Sequence, residues 1–188
     1  MTRAFTASLV ATDVVDRVLA AGDRAPSAGN TGGWAWLVLE GADETQRYWD
    51  ATLPADRRDG FPWPGLLDAP VLVVPLCRPE AWPERYAEVD KVRTGLGEST
   101  DAWAAPYWWI DTAMAAMLVQ LAAIDEGLGV CFFGQFDHEP AVLEAFGVPD
   151  DWRALGTLAL GHPAPDRPSS SAGRAKPPTA SRTHRGSW

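Results

Sequence analysis

The sequence has few of the residues from which disulfide scaffolds and metal centres are built. Its 188 residues include only two cysteines, Cys77 and Cys131, and three histidines. Both cysteines lie in apolar runs, so we expect buried thiols first, with a disulfide bridge as the alternative. The histidines are too scattered for the ligand spacing of a zinc site. We therefore expect no bound metal.

The common phosphate-binding and nucleophile motifs are also missing from the sequence. It contains no Gly-x-Gly-x-x-Gly, no Walker A pattern and no Gly-x-Ser-x-Gly turn. Gly95-Leu96-Gly97 lacks both the third glycine and a preceding strand. Side chains alone therefore give weak support for catalysis, and we assign no catalytic residue. If the protein is an enzyme, we expect a cofactor to carry its chemistry.

Excess positive charge is likewise absent, since the chain has 16 basic and 25 acidic residues and a net charge of −9. Such a chain is a poor partner for nucleic acids or anionic membranes. Charged residues interrupt the first 21 positions, so we expect no signal peptide. Charged residues also divide the apolar stretch 107–130, and its uncharged part is too short to span a bilayer. We expect a cytoplasmic protein.

Hydrophobic periodicity predicts a layered protein with helices and strands in alternation. We expect a first helix around Val14 to Leu19, and further helices at 43–53, 108–126 and 139–146. Strands are predicted at 34–39, 71–76, 130–133 and 155–160, with a loop at 57–67. This order fits either an α+β or an α/β architecture. The irregular segment 78–106 is interpreted either as a lid or as a partly helical surface excursion.

The predicted helix 108–126 is unusual because it is apolar on nearly all sides. A helix of this kind is normally buried all round. A single domain of this size offers little room for such a helix. The pattern therefore predicts an obligate homodimer in which a second subunit covers part of the helix.

The last 26 residues differ in composition from the rest of the chain. Residues 163–188 contain five basic residues against one acidic residue, which leaves 11 basic and 24 acidic residues, a net −13, in residues 1–162. Between 163 and 183 the only apolar side chains are Ala and Pro, so this segment cannot form its own core. We predict a domain at 1–162 and an extension at 163–188. The extension would wrap a partner subunit, hold an anion or remain in solvent, and the terminal Trp188 favours docking.

Short motifs spread over nearly the whole chain match one family in their order and spacing. They are Arg3-Ala4-Phe5, Ala25-Pro26-Ser27-Ala28-Gly29-Asn30, Asp68-Ala69-Pro70, Gly127-Leu128-Gly129, Phe132-Phe133-Gly134 and Gly161-His162-Pro163. Together they resemble the FMN-dependent nitroreductase family, and the basic end at 184–188 looks like that of actinobacterial members. The chain departs from the family pattern in two places. Met1 aligns with the serine of Arg-Arg-Ser-x-Arg-x-Phe, so the two leading arginines are missing, and Gly32-Gly33 replaces Gln-Pro.

The resemblance implies a nitroreductase-like, three-layer α+β fold. In it, a central and mostly antiparallel sheet is flanked by helices, a long buried helix forms the dimer interface, and the C-terminal extension wraps the partner subunit. The resemblance also implies a homodimer with FMN bound at the interface and NAD(P)H as the co-substrate.

The same resemblance implies a set of site residues. The FMN-binding residues would be Arg3, Pro26, Ser27, Ala28, Asn30, Gly134, Gln135, Arg174 and Lys176. Arg3 would lie near the pyrimidine side of the flavin, where a cation stabilises the reduced form. The turn at 134–135 would direct backbone N–H groups toward flavin N5 and O4, and the two tail cations would approach the phosphate.

A substrate pocket is implied over the flavin. Its candidate residues are Tyr86, Trp103, Tyr107 and Trp108. For Tyr107 and Trp108 the alternative is packing in the dimer core. The other site residues also have structural alternatives, such as shaping a turn, capping a helix or lying in solvent as charges.

Our leading hypothesis is an FMN-dependent oxidoreductase that passes hydride from NAD(P)H, through flavin N5, to a nitroaromatic or a quinone. One pocket that serves both substrates in turn implies ping-pong kinetics. The alternatives are flavin-dependent dehydrogenation of a natural-product intermediate and a non-catalytic flavin-binding or sensing protein. A structural dimer whose basic tail binds an acidic partner is a further alternative.

Overall fold

A five-stranded antiparallel sheet lies at the centre of the fold, in a computed structural model that describes residues 1–169 and 171–188. The strands are β1 (Trp34–Glu40), β2 (Val71–Cys77), β3 (Gly129–Phe133), β4 (Arg153–Ala154) and β5 (Thr157–Gly161). Their order across the sheet is β1-β2-β5-β3, and the short β4 also pairs with β2. All these pairings are antiparallel, which decides for α+β over α/β.

Within the described residues, six α-helices flank this sheet. They are α1 (Thr12–Gly22), α2 (Gly41–Thr52), α3 (Ala55–Arg58), α4 (Ala81–Tyr86), α5 (Tyr107–Asp125) and α6 (Glu139–Ala145). The four predicted helices and four predicted strands are confirmed, with ends that differ by at most three residues. The predicted loop 57–67 additionally contains the end of α3 and a 3-10 turn at Pro64–Leu66.

Strand β2 shows why the fold has three layers. All seven of its residues are buried. Because side chains alternate along a strand, Leu72 and Val74 join the cluster that includes residues of α2 and α6. Val71 and Val73 join the cluster on the opposite face, formed with α1 and α5. Helices therefore cover both faces of the sheet, as the resemblance implied.

Helix α5 buries only one of its two sides within this chain. It packs on α1 and on the sheet through its inner side chains, Thr112, Ala115, Ala116, Val119 and Ala123. The outer side exposes a row of large apolar residues, Ile110, Met114, Met117, Leu121 and Ile124. This row, which we call the α5 seam, advances in alternating steps of four and three residues, the spacing at which helices pack against each other.

By length and composition alone, α5 could also cross a membrane, a property that core helices of globular proteins share. Here α5 packs against α1, β2 and β3. We therefore assign it to the core of the fold.

The strand predicted at 155–160 begins two residues later than predicted, as β5, and is separated from the short β4. Gly156, with φ of 152°, separates β4 from β5. A Cβ atom at Gly156 would lie 2.7 Å from the carbonyl oxygen of Phe133, which leaves room only for glycine. The strand therefore breaks beside the turn that follows β3.

The irregular segment 78–106 is partly helical, and the lid interpretation stays a prediction. It contains α4 and 3-10 turns at Val92–Thr94 and Thr100–Ala102. Trp82 of α4 is fully buried and holds the segment against the domain.

The C-terminal extension begins beside the N-terminal segment. Phe5 forms a β-bridge with Pro163, and the N–H of Ala164 donates to the carbonyl of Ala4 at 2.9 Å. Residues 171–188 are exposed, and Trp188 stacks on His184 with 4.1 Å between ring centres. The extension thus does not dock on its own domain over these residues, and wrapping of a partner stays a prediction.

Both cysteines are free thiols and buried, as expected. Burial raises the pKa of Cys77 to about 12 and also raises the pKa of Cys131. Neither thiol is therefore suited to act as a nucleophile near neutral pH.

Candidate functional site

Three of the predicted flavin residues, Arg3, Gly134 and Gln135, line one cavity of about 410 Å³. We call these three the cavity group. Six Phe, Tyr and Trp side chains also line this cavity: Tyr48, Trp49, Phe61, Trp63, Phe132 and Phe133. The cavity therefore offers flat apolar surfaces with a cation and a turn of backbone at its edge.

Gln135 anchors the turn that follows β3. Its buried side chain donates from Nε2 to the hydroxyl of Thr157 at 3.0 Å, and that hydroxyl lies 2.7 Å from the phenol oxygen of Tyr48. Burial raises the pKa of Tyr48 to about 12, so the phenol stays protonated at neutral pH. In the described part of the chain, neither Gly134 nor Gln135 donates its N–H to a loop hydrogen bond, which leaves both N–H groups available to a ligand.

Arg3 presents a half-buried guanidinium to the same cavity. Its central carbon lies 4.7 Å from the ring centre of Trp63, a cation–π contact. No ion pair of Arg3 occurs within residues 1–169 and 171–188. By contrast, Arg153 forms an ion pair with Glu139 at 2.8 Å. Arg3 is thus free to bind an anionic ligand.

Four other predicted flavin residues, Pro26, Ser27, Ala28 and Asn30, lie elsewhere, on the loop between α1 and β1. We call them the loop group. Within the described ranges they contribute no lining residue to the aromatic cavity.

A buried carboxylate of α5 holds the loop group in place. Asp111 is 1% exposed, and its Oδ2 atom accepts three hydrogen bonds. The donors are the Ser27 hydroxyl (3.0 Å), the Ala28 N–H (2.8 Å) and the indole N–H of Trp82 (2.9 Å). Asp111 was missed as a site residue, although an acidic residue inside an apolar helix was a visible signal.

The backbone of this loop is strained and tightly covered. Gly29 has φ of 64°, and a Cβ atom there would lie 2.6 Å from a ring carbon of Tyr86. Arg85 donates to the Gly29 carbonyl at 2.9 Å, and Asn30 follows with φ of 56°. The loop shape therefore depends on glycine at position 29 and on the packing of α4.

Three of the four predicted substrate residues form an aromatic cluster beside this loop. The ring centres of Tyr86 and Trp103 are 4.7 Å apart, and those of Trp103 and Tyr107 are 5.5 Å apart. Trp108 is half-buried and takes no part in this cluster as far as the described residues show. The structure thus brings Tyr86, Trp103 and Tyr107 together with the loop group.

Backbone strain marks each of the two groups. Among the described non-glycine residues only Asn30 (φ 56°) and Phe136 (φ 49°) have positive φ. One lies in the loop group, and the other directly follows Gln135. Such conformations cost about 1–3 kcal/mol and concentrate at functional sites. Phe136 is also 87% exposed, which is unusual for a phenylalanine.

The predicted phosphate residues lie outside both groups. Arg174 and Lys176 are exposed in the extension and line neither the aromatic cavity nor its neighbour of about 440 Å³. Within this chain, therefore, the structure does not bring them to the other predicted flavin residues.

Trp49, Phe61 and Trp63 line the cavity but were not among the predicted site residues. The segment 57–67 was interpreted only as a loop rich in proline and glycine. The chain contains ten tryptophans, a composition that could have indicated an aromatic pocket.

Comparison with known proteins identifies the family of this chain. A family model described as the nitroreductase family matches residues 1–162. The chain belongs to the nitroreductase family. The resemblance drawn from the sequence is thereby confirmed, and with it the prediction of a nitroreductase-like enzyme.

The individual proteins that match this chain either have low sequence identity to it or match only a short part of it. The 5,6-dimethylbenzimidazole synthase of Rhodospirillum rubrum is 27% identical over 169 residues, which cover 83% of this chain and 74% of that protein. The FMN reductase (NADPH) of Bacillus subtilis is 43% identical over 56 residues, 29% of this chain and 22% of that protein. The solved structure of a nitroreductase family protein from Streptococcus pneumoniae TIGR4 has a TM-score of 0.75 at 17% identity, covering 98% of this chain and 94% of that one. The last comparison confirms the fold.

Proposed function

We propose that this protein is an FMN-dependent oxidoreductase that oxidises NAD(P)H and reduces an electron-poor acceptor, such as a nitroaromatic compound or a quinone. One observation carries the proposal. Among the described residues, an aromatic cavity of about 410 Å³ is bordered by an arginine that forms no ion pair and by a turn whose two backbone N–H groups donate to no loop hydrogen bond. The name of one relative, an FMN reductase (NADPH), supports the same chemistry.

The residues of the cavity group suit the flavin ring. The aromatic walls can pack on a flat heterocycle. Gly134 has no side chain to keep a ligand from the backbone, and the N–H groups at 134–135 can donate to ring acceptors. Arg3 adds positive charge for the electron-rich reduced form. When bound, FMN supplies the electron transfer between NAD(P)H and the acceptor.

The complete site, in this proposal, is shared by two subunits. The cavity group and the loop group share no cavity and no hydrogen bond among the described residues. The α5 seam exposes five large apolar side chains that a second α5 would cover. Because Asp111 of the same helix holds the loop group, dimerisation through α5 would carry one subunit's loop toward the other subunit's cavity.

The aromatic cluster of Tyr86, Trp103 and Tyr107 would then form a wall of the substrate pocket. NAD(P)H and the acceptor would use this pocket in turn, which gives ping-pong kinetics. Arg174 and Lys176 would reach the phosphate only when the extension wraps the dimer, as the sequence predicts. The cytoplasmic location stays a prediction as well.

A second candidate is a specialised oxidation of a natural-product intermediate on the same fold. The observation that favours it is the relative from Rhodospirillum rubrum, which is named a synthase and not a reductase. Product analysis with the reduced and the oxidised forms of a candidate substrate separates the two reactions.

The test of the proposal begins with the purified full-length protein and added FMN. We expect flavin absorption bands that co-elute with a dimer on gel filtration, followed by NADH or NADPH oxidation that depends on a quinone or a nitroaromatic acceptor. A protein that retains FMN but oxidises neither nucleotide would indicate a flavin-binding or sensing role. A protein that does not retain FMN would overturn the proposal.

A further inference from the structure

The first residues of the C-terminal extension return to the N-terminal segment at the aromatic cavity. The guanidinium carbon of Arg167 lies 4.9 Å from the ring centre of Trp63. Arg3 lies 4.7 Å from the same ring. Arg167 also donates to the carbonyl oxygen of Pro62. Two guanidinium groups therefore share one indole at the edge of the cavity.

A second cavity of about 440 Å³ adjoins the first at this point. The two cavities share the side chains of Arg3, Phe61 and Trp63, while Arg167 lines only the second. Asp166 is the acidic residue in the lining of the second cavity. Two arginines against one aspartate give this end of the combined cavity a net positive charge.

Arg3 and Arg167 are among the arginines that form no ion pair within the described residues. Within residues 1–169 and 171–188, five other arginines do form ion pairs with carboxylates: Arg17, Arg58, Arg78, Arg85 and Arg153. Over the part of the chain that is described, Arg3 and Arg167 form none, although Asp166 is the immediate neighbour of Arg167. Two cations near one ring repel each other, and an anionic ligand relieves that repulsion.

We infer that Arg167 is a second cation of the flavin site and acts with Arg3 at the pyrimidine end of the ring. This inference rests on the proposed function. It goes beyond the family match, because that match ends at residue 162 and Arg167 lies in the extension. Reduced flavin carries more negative charge at this end than oxidised flavin does. A second guanidinium there therefore stabilises the reduced form more strongly and raises the midpoint potential of the bound FMN.

The test compares Arg167→Gln and Arg167→Lys with the full-length wild type. The control is Arg182→Gln, since Arg182 is an exposed arginine of the same extension that donates to the Pro177 carbonyl. FMN affinity is measured by fluorescence titration, and the midpoint potential by equilibration with redox dyes. Far-UV circular dichroism and gel filtration check that each variant folds as the wild type does.

The inference predicts that Arg167→Gln lowers the midpoint potential and weakens the binding of reduced FMN by about tenfold, with a smaller loss for oxidised FMN. Arg167→Lys keeps the charge and retains most of the potential, and Arg182→Gln matches the wild type.

Three results would overturn the inference. If Arg167→Gln leaves the potential and both affinities unchanged, the inference is wrong while the proposed function stands. If the Lys and Gln variants lose affinity equally at unchanged potential, packing on Trp63 and not charge is responsible. If the wild type does not bind FMN, the inference and the proposed function both fail.

Discussion

The loop group and the cavity group differ in whether their polar atoms have partners within the chain. In the loop group, the Ser27 hydroxyl and the Ala28 N–H are both bonded to Asp111, a residue of the same chain. In the cavity group, Arg3 and the N–H groups at 134–135 keep no such partners among the described residues. The loop is thus built to hold one shape, whereas the cavity keeps its binding capacity for a ligand.

The contrast also explains where each group obtains its rigidity. Buried hydrogen bonds to α5 fix the loop, because an unpaired buried donor costs about 1–3 kcal/mol. The cavity turn is fixed from behind by the Gln135 side chain, which leaves its backbone free.

The largest effect is expected from Asp111→Ala. It removes the common acceptor of the Ser27 hydroxyl, the Ala28 N–H and the Trp82 indole. We expect the free energy of unfolding to fall by about 3 kcal/mol or more, because three donors lose their partner in the core. Urea unfolding of the FMN-free protein measures the loss. Asp125→Ala, an exposed aspartate of the same helix, is the control and should change stability by less than about 0.5 kcal/mol. Equal stability of both variants would show that the loop does not depend on Asp111.

The next effect is expected from Met117→Glu in the centre of the α5 seam. Met117 is 51% exposed in the single chain, and a carboxylate there would be buried without a partner in a dimer. We expect a shift from dimer to monomer on gel filtration and a parallel loss of FMN binding. Val89→Glu replaces an exposed valine outside the seam and should leave the dimer intact. A Met117→Glu variant that remains dimeric would exclude α5 as the interface.

A smaller effect is expected from Arg3→Gln, which removes the unpaired cation of the cavity group. FMN affinity should fall by about tenfold, the usual strength of a charge-assisted contact. The unfolding free energy should hardly change, because Arg3 forms no ion pair within the described residues. Fluorescence titration and urea unfolding give the two readings. A loss of stability with unchanged FMN affinity would make Arg3 a structural residue.

The smallest effect is expected at Glu139, whose carboxylate accepts from Arg153 and from the N–H of Ala154. The Arg153 guanidinium holds the pKa of Glu139 below its usual 4.5. Its stabilising contribution is therefore present above pH 4.5 and is lost as the pH falls through the lowered pKa. Glu139→Gln should cost about 1 kcal/mol at pH 7, and the difference from wild type should shrink toward zero in acid. Urea unfolding at pH 7 and at a pH below the lowered pKa of Glu139 checks this. Glu144→Gln on the same helix is the control. A difference that persists in acid would contradict the ion-pair explanation.

Much of the fold could be predicted from the sequence because local patterns decide it. The run Val71 to Leu76 indicates a strand buried on both faces, and the all-apolar 108–126 indicates a helix that one chain cannot cover. The break at Gly156 was not predictable, since it depends on the approach of Phe133 from another strand.

Less of the candidate site was predictable, for the same reason. Short motifs identified Arg3, Ser27 and Gly134, because such motifs are local. The bonds of Asp111 to a loop 83 and 84 residues away, and the sharing of Trp63 by Arg3 and Arg167, arise only from the tertiary fold. Sequence spacing carries no information on contacts of that range.

In the proposed site, FMN binds between the cavity group of one subunit and the loop group of the other. A mixed dimer distinguishes this shared site from a site within one subunit. Arg3→Glu and Asn30→Asp subunits carrying different affinity tags are co-expressed, the heterodimer is purified through both tags, and FMN is titrated. A shared site predicts that one of the two sites binds FMN with wild-type affinity, because it receives neither substitution, although both homodimers bind weakly. A heterodimer in which both sites bind weakly would contradict the account and place each FMN site within a single subunit.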